Sequence, residues 1–500
     1  MNNDRSELQL SSADRRRFNA ALRKLLPRAS IIDDDDRLVV YESDALTARR
    51  EIPWIVVLPD SIAQVREIMK LASKFRVPVV ARGAGTGLSG GAMPTSTGIL
   101  LSLAKFNSIL AIDQDNRTAR VEPGVTNLAV SEYVKPLGLY YAPDPSSQIA
   151  CTIGGNIAEN AGGVHCLKYG LTVHNVLQLK VVTPEGELIT IGSTALDSPG
   201  YDLLAAMIGS EGMLGIVVEA TVKLMPMPQT AKLVMAAFKS IARAGDAVAA
   251  IISRGIIPAG LEMMDRMATK AVEEFVEVGY PLDAAAVLLC EVDGAVAEVE
   301  DHMATLTELL QREGAYRVRV AQDERERQEL WRGRKSAFPA VGRISPDYLC
   351  MDGTIPRHKL GEVLEEISDL AGSYRLQVAN VFHAGDGNLH PLILYDANNP
   401  DELRRAELLG AEILELCVAR GGTITGEHGV GIEKIDQMCV QFSEAEISQF
   451  HELKASFDPQ GILNPGKAVP TLSRCREFSP LAPRDGVRRD PVNSRGSADS

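Results

Sequence analysis

Asp386-Gly387 stands between two apolar runs, residues 378–382 and 392–395, and this arrangement restricts the fold more than any composition figure. Asp-Gly in that setting predicts a β-hairpin closed by a two-residue type I′ turn. The implied register pairs Gly385 with Asn388, Ala384 with Leu389 and His383 with His390. Directly opposed residues share a face, with Cβ atoms about 4.5–5.5 Å apart. Two imidazoles then meet beside glycines that leave room for a ligand. A second glycine-rich stretch, Gly421-Gly422-Thr423-Ile424-Thr425-Gly426-Glu427-His428-Gly429-Val430-Gly431, offers a carboxylate and a third imidazole. Two histidines and one carboxylate form a metal set with open coordination positions. His383, His390 and Glu427 are therefore candidate ligands. The same spacing also suits two histidines that merely hydrogen-bond at a tight turn. Adjacent strand residues point to opposite faces. Glu427 and His428 can serve one site only where the backbone is irregular, as Gly426, Gly429 and Gly431 permit.

A chain of 500 residues exceeds one ordinary core, so two or three domains are expected. The net charge of -14, with no basic block, argues against nucleic acid as the partner. No run of about 18 apolar residues appears, so no membrane span is expected. Asp14-Arg15-Arg16-Arg17 leaves no apolar signal core. Seven cysteines without C-x-x-C spacing fit a reducing, cytoplasmic compartment. They also exclude an iron–sulfur cluster held by this chain alone.

Residues 1–50 read as a polar, helical lead-in, with the acidic run 33–36 as a solvated turn. Residues 51–228 form a first domain. A strand at 54–58 precedes a helix capped by Ser61 and running to residue 75. A strand at 77–80 leads into Arg82-Gly83-Ala84-Gly85-Thr86-Gly87-Leu88-Ser89-Gly90-Gly91. Gly85-x-Gly87-x-x-Gly90 has the spacing of the dinucleotide fingerprint, but that fingerprint requires a following helix. Pro94, Ser96, Thr97 and Gly98 stand there instead, so a Rossmann site is rejected. What remains is either a nest of backbone N–H groups fit for a pyrophosphate or a merely flexible loop. Pro143 to Ser147 and Thr152 to Gly163 form a second glycine-rich segment that permits close approach to a flat ligand. Gly209-Ser210-Glu211-Gly212, followed by Ile216, is a third.

Residues 229–420 alternate strands with helices, which predicts a ferredoxin-like α+β layer. Leu330-Trp331-Arg332-Gly333-Arg334-Lys335 lies on a helix starting near Asp323. Residues 421–470 return to the first domain through Asn464-Pro465-Gly466. Residues 471–500 are rich in Pro, Arg, Asp and Ser and are expected to be a disordered tail.

On its three glycine-lined segments the chain resembles the vanillyl-alcohol oxidase/p-cresol methylhydroxylase superfamily, over residues 40–468. The resemblance implies an α+β fold. A two-part FAD-binding domain of the p-cresol methylhydroxylase type would carry an inserted ferredoxin-like substrate, or cap, domain. It implies an FAD pyrophosphate on Arg82, Gly83, Ala84, Gly85, Thr86, Gly87, Leu88, Ser89 and Gly90. It places the ribityl chain and flavin ring against Pro143, Ser146, Thr152, Gly155, Asn156, Gly163, Glu211 and Ile216, with Asn464 nearby. Thr86 stands near a His that carries covalent FAD in some members, and Cys151 lies one residue from a flavin-linked Cys of others. The FAD is therefore expected to be non-covalent.

The pair of motifs His383…His390 and Glu427-His428 narrows the resemblance to the FAD-linked 2-hydroxy-acid dehydrogenases. The glycolate-oxidising branch is most similar; D-lactate and D-2-hydroxyglutarate dehydrogenases are near relatives. In that family the Arg matching Arg334 binds the substrate carboxylate, which a planar guanidinium fork suits. One divalent metal, zinc, iron or manganese, would lower the hydroxyl pKa. His428 would be the general base, its reference pKa of about 6.5 fitting the task. The implied reaction is glycolate to glyoxylate, with hydride passing to flavin N5. The family also implies FAD-type and iron–sulfur partner subunits that carry electrons toward quinone, at the inner face of a membrane. A metal-dependent hydrolase using the same His/His/Glu set leaves the first 225 residues unexplained. A flavin-free structural module leaves the metal set unexplained.

Overall fold

The computed structural model describes residues 10–195 and 200–478. Ile31–Ile32, Ile55–Val57, Ile99–Ser102 and Val79–Arg82 form a four-stranded sheet in that order, parallel except for the first pair. The central strands are short apolar runs, as strands buried on both faces require. Ile55, Val57, Val79, Ile99 and Leu101 pack in one core with the helix Ile62–Phe75. Ser61 accepts from Gln64 N and caps that helix, whose Val65, Ile68, Met69 and Ala72 form the buried stripe. A five-stranded antiparallel sheet follows, in the order Ile109–Asp113, Thr118–Val121, Ile216–Lys223, Val176–Val182, Leu188–Gly192. The glycine-lined segments are connections around these two sheets.

The N-terminal stretch is helical over Ser12–Leu25, as expected, and it joins this unit, because Ile31 and Ile32 pair with Val57 and Val56. The acidic run is not simply solvated. Asp33 is gripped by Arg23 at 2.7 Å and Arg28 at 2.8 Å, and Asp34 caps the short helix Asp35–Leu38.

The inserted domain is built on seven antiparallel strands. Their order is Arg317–Val320, Thr230–Phe238, Ala286–Gly294, Gly260–Asp265, Gln377–His383, Pro391–Tyr395, Asp347–Cys350. The first four of these strands have the ferredoxin-like order, with the helix Arg266–Val276 added between two of them. The histidine hairpin and Asp347–Cys350 widen that layer. Along Thr230–Phe238, Val234, Ala236 and Phe238 enter one core with the helices Ile241–Ser253, Val296–Arg312 and Leu360–Ser373. Leu233, Met235 and Ala237 enter another, with Arg266–Val276 and Ala337–Val341. A strand covered on both faces gains nothing from polar alternation, so its sequence is a continuous apolar run.

The hairpin forms in a different register from the expected one. Asn380 faces Pro391 and His383 bridges Asn388, two residues off the type I′ pairing. A type I′ turn needs positive φ at both central residues; of Asp386 and Gly387 only Gly387 has it, at +80°. Asp386 Oδ1 instead accepts from Asn388 N at 3.1 Å, an Asx-type bond that favours a longer loop. Gly387 N donates to His383 O at 3.2 Å and closes it. A slip of two keeps every side chain on its original face. His383 and His390 therefore still meet, as diagonal neighbours with ring centroids 5.1 Å apart.

The C-terminal expectation needs two corrections. Leu472–Phe478 is a helix rather than the start of a disordered tail, and Leu472 and Cys475 pack against the larger core of the inserted domain. Cys475 is also joined to Cys439 by a disulfide, against the expectation of reduced cysteines throughout. Two apolar positions in so short a stretch give no periodic signal. Residues 479–500 lie outside the described residues.

Candidate active site

Three imidazoles surround one carboxylate oxygen. Glu427 Oε1 lies 3.1 Å from His383 Nε2, 3.2 Å from His390 Nε2 and 3.9 Å from His428 Nε2. The His390 and His428 rings stack, with centroids 4.9 Å apart and 11° between planes. The hairpin supplies the first two histidines and the loop 421–431 supplies Glu427 and His428. That loop is shaped by Asp352, which is fully buried. Asp352 accepts from Gly426 N at 3.1 Å, Glu427 N at 3.3 Å, His428 N at 2.9 Å and Thr425 Oγ1 at 2.5 Å. Three successive N–H groups turned onto one carboxylate form a nest and pull the backbone out of the extended state. Adjacent side chains can then face one site. Lys434, also fully buried, donates to Asp352 at 3.2 Å and to Gly429 O at 2.9 Å. Burial works against the Asp352 charge, but His428, Lys434 and His390 hold its carboxyl well below the usual range.

Arg334 is not on the open wall of the site. It is 4% exposed, and its Nη2 and Nε sit 2.7 and 2.9 Å from Glu262 Oε2. The other Glu262 oxygen lies 2.7 Å from His383 Nδ1. An Arg–Glu–His chain thus fixes the His383 ring with Nε2 toward Glu427. Partners of this kind orient metal-binding imidazoles and raise their basicity. Burial opposes charge on His383, yet Glu262 and Glu427 together lift its pKa well above the ordinary value. His428 goes the other way: burial, with repulsion from His390, outweighs Asp352 and pushes the imidazole down to about 4.

The donor set fits a divalent metal. One ligand atom each from His383, His390 and Glu427 lies within 4.8 Å of the others. His390 Nε2 and His428 Nδ1 are buried without a hydrogen-bond partner. Two imidazoles and a carboxylate suit zinc, iron or manganese. Asp352, His390 and His428 also cluster within that distance. The Asp352 oxygens are already occupied by backbone N–H groups and Lys434, so the first trio is the better set.

Glu427 and His428 also line a cavity of about 380 Å³. Arg82, Gly83, Ala84, Gly85, Thr86, Gly87, Leu88, Ser146, Thr152, Gly155, Asn156 and Glu211 line it with them, as does Cys151. Much of this wall is backbone, as a large cofactor held by peptide N–H groups requires. The other predicted cofactor residues stand behind it. Ser89 Oγ donates to His428 O at 2.8 Å, tying the first loop to the one that carries His428. Gly90 lies against Ile432, and Gly163 lies over the Asp144 carbonyl. Pro143 O accepts from Asn127 Nδ2 at 2.9 Å, and the same amide reaches Asn156. Ile216 pairs with Val182 inside the five-stranded sheet. Asn464 Nδ2 donates to Gly91 O at 2.9 Å and Glu211 O at 2.6 Å. The Gly154-Gly155 segment is a helix, Ile153–Glu159, capped by Thr152, rather than an open loop.

Sequence reasoning missed Glu262, Asp352, Lys434 and Glu159. Glu262 carried a signal: an acid between Leu261 and Met263 within an apolar strand must find a buried partner.

Residues 53–192 match a family model described as an FAD binding domain, and residues 227–468 match one described as FAD linked oxidases, C-terminal domain. The chain is 58% identical over 478 residues to the Glycolate oxidase subunit GlcD of Escherichia coli (strain K12), covering 96% of each protein. It is 42% identical over 445 residues to the Glycolate oxidase subunit GlcD of Bacillus subtilis (strain 168), covering 89% of this chain and 95% of that protein. The crystal structure of p-cresol methylhydroxylase with substrate bound shares the fold, with a TM-score of 0.78 at 18% identity over 93% of this chain and 98% of that one.

Proposed function

The chain belongs to the family of FAD-linked oxidases that includes the glycolate oxidase subunits, and on that premise we propose that it oxidises glycolate to glyoxylate. The observation that supports this reading is the gathering of His383, His390 and His428 around Glu427, beside a cavity walled by FAD-binding loops. Bound FAD supplies the hydride acceptor. A divalent ion on His383, His390 and Glu427 supplies Lewis acidity, which makes an alcohol proton removable near neutral pH. His428 takes that proton. Burial pushes its pKa down to about 4, which keeps the imidazole neutral, and its Nε2, 3.9 Å from Glu427 Oε1, is the ring nitrogen on the side of the proposed metal set. Arg334 spends Nε and one Nη on Glu262. Buried off the cavity wall, Arg334 acts through Glu262, which holds the His383 ring in place.

Electrons then leave to partner subunits of FAD and iron–sulfur type and on toward quinone. No helix among the described residues is long and apolar enough to cross a membrane. A metal-dependent hydrolase would have no use for the FAD loops.

The test is an oxygen-free panel of glycolate, D-lactate and D-2-hydroxyglutarate, following loss of visible flavin absorbance. Glycolate is expected to bleach the flavin fastest. His428→Ala should retain FAD and bleach at least about 100-fold more slowly. Fastest bleaching by D-lactate or D-2-hydroxyglutarate moves the substrate within the class. A flavin that no 2-hydroxy acid reduces would overturn the reading.

A further inference from the structure

Glu159 ends the helix Ile153–Glu159 and lines the FAD cavity, yet the chemistry above makes no use of it. Its Oε2 is buried and has no hydrogen-bond partner. The carboxyl fills space that glycines leave open on two different loops. A Cβ on Gly91 would lie 2.6 Å from Glu159 Oε1, and one on Gly429 would lie 2.1 Å from Oε2. The Glu211 carboxyl crowds the same two points, at 3.3 and 3.0 Å.

Every other charged group near Glu159 is already engaged. Glu211 accepts from Val430 N at 2.7 Å and Gly431 N at 2.8 Å. Asp44 accepts from Leu46 N at 3.0 Å and Ala92 N at 3.3 Å. Lys434 is bonded to Asp352 and Gly429 O, and Lys467 to the carbonyls of Gly91 and Met93. Two buried carboxyls this close do not both ionise. Glu211, with two N–H donors, is the better anion. Burial and the neighbouring Glu211 push Glu159 well above the ordinary carboxyl range. Glu159 thus stands at the cavity wall as a carboxyl disfavoured as an anion, with no hydrogen-bond partner in the protein for Oε2.

We propose that the Glu159 carboxyl hydrogen-bonds the FAD held in this cavity and finds its partner only when FAD is bound. The proposal depends on FAD occupying the cavity and not on which acid is oxidised.

The test uses full-length protein stripped of FAD and titrated with FAD, following flavin fluorescence, and thermal midpoints with and without FAD. Glu159→Gln keeps a neutral hydrogen-bonding side chain of the same shape; Glu159→Leu removes it. Gln should bind FAD within about threefold of the parent, and Leu about tenfold more weakly, the worth of one hydrogen bond. The FAD-free Leu variant should melt no lower than the FAD-free parent, because the change removes an unmet buried group. If Leu does not fold, Glu159→Ala carries the same comparison. The proposal falls if Leu or Ala binds FAD like the parent, or if Gln binds as weakly as Leu. It also falls if Leu and Ala lower the FAD-free midpoint as much as the FAD-bound one, which would make Glu159 a packing element. No substrate enters the experiment, so its failure leaves the glycolate reading standing.

Discussion

The FAD cavity is lined by the glycine-rich segments 82–91 and 152–163, whereas the histidine cluster is walled by charge. Around His383, the residues Glu262, Arg334, Asp352 and Lys434 are all at most 4% exposed. A backbone wall is sensitive to volume: an added Cβ intrudes where the ligand or a neighbour must lie. A charged wall is sensitive to partnership, because removing one member strands another in a medium that cannot solvate it. One protein thus holds a large cofactor mainly by shape and prepares a small polar centre by electrostatics, with Glu427 and His428 belonging to both.

The hardest blow to the charged side is Asp352→Leu. It strands Lys434 and leaves three backbone N–H groups without their acceptor. Stability should fall by about 3–5 kcal/mol, read from the denaturant midpoint; a loss under about 1 kcal/mol would mean the network is not what shapes the loop. Glu262→Gln should leave the fold intact and still lower metal affinity about 10–100-fold, measured by competition with a chelator. Equal affinity would remove Glu262 from the ligand-orienting chain.

On the backbone side, a Cβ at Gly83 would lie 2.2 Å from Thr152 Oγ1, which accepts from Gly155 N at 3.3 Å as a helix cap. Gly83→Ala should cost about 1 kcal/mol through the lost cap and weaken FAD about fivefold by titration. Unchanged FAD affinity would show that this wall tolerates volume after all. A pH-dependent effect is expected where the two domains touch. His165 Nδ1 lies 2.8 Å from Asp144, and Nε2 lies 3.5 Å from Glu291 of the inserted sheet. Burial disfavours its charge, but the two acids lift its pKa to about 10. A pKa raised above an unfolded value of about 6.5 stabilises the fold fully below that pH. The gain is lost as pH rises toward 10. Melting midpoints of the parent should therefore decline from pH 7 to 10 more steeply than those of His165→Gln; parallel slopes would dismiss the contact.

The elements of the inserted domain were legible because their apolar runs and caps are local. Glu324–Lys335 is the helix expected to start near Asp323. The histidine pair was legible despite the wrong register, since a slip of two spares the face. Asp352 was not, because its role depends on N–H groups of a loop more than 70 residues away that no local pattern connects to it. The same holds for Arg334: its sequence neighbours reveal a charged helix, while its partner Glu262 sits on a separate strand. The Cys439–Cys475 bond depends on a terminal helix docking onto the inserted domain, and Pro- and Arg-rich flanks hide that docking.

Leu463 bridges Val79 in parallel, and Asn464 N donates to Val79 O at 2.8 Å. The first sheet is thus finished by a segment near the end of the described residues. At ~5–20 residues per second on the ribosome, Val79 waits roughly 20–80 s for that partner. The seven-stranded sheet, contiguous in sequence, is complete sooner. During synthesis the edge of the first sheet at Val79 therefore stays open until residue 463 is made, and a chain cut short before that point lacks both this seal and the Leu472–Phe478 helix that packs on the inserted domain.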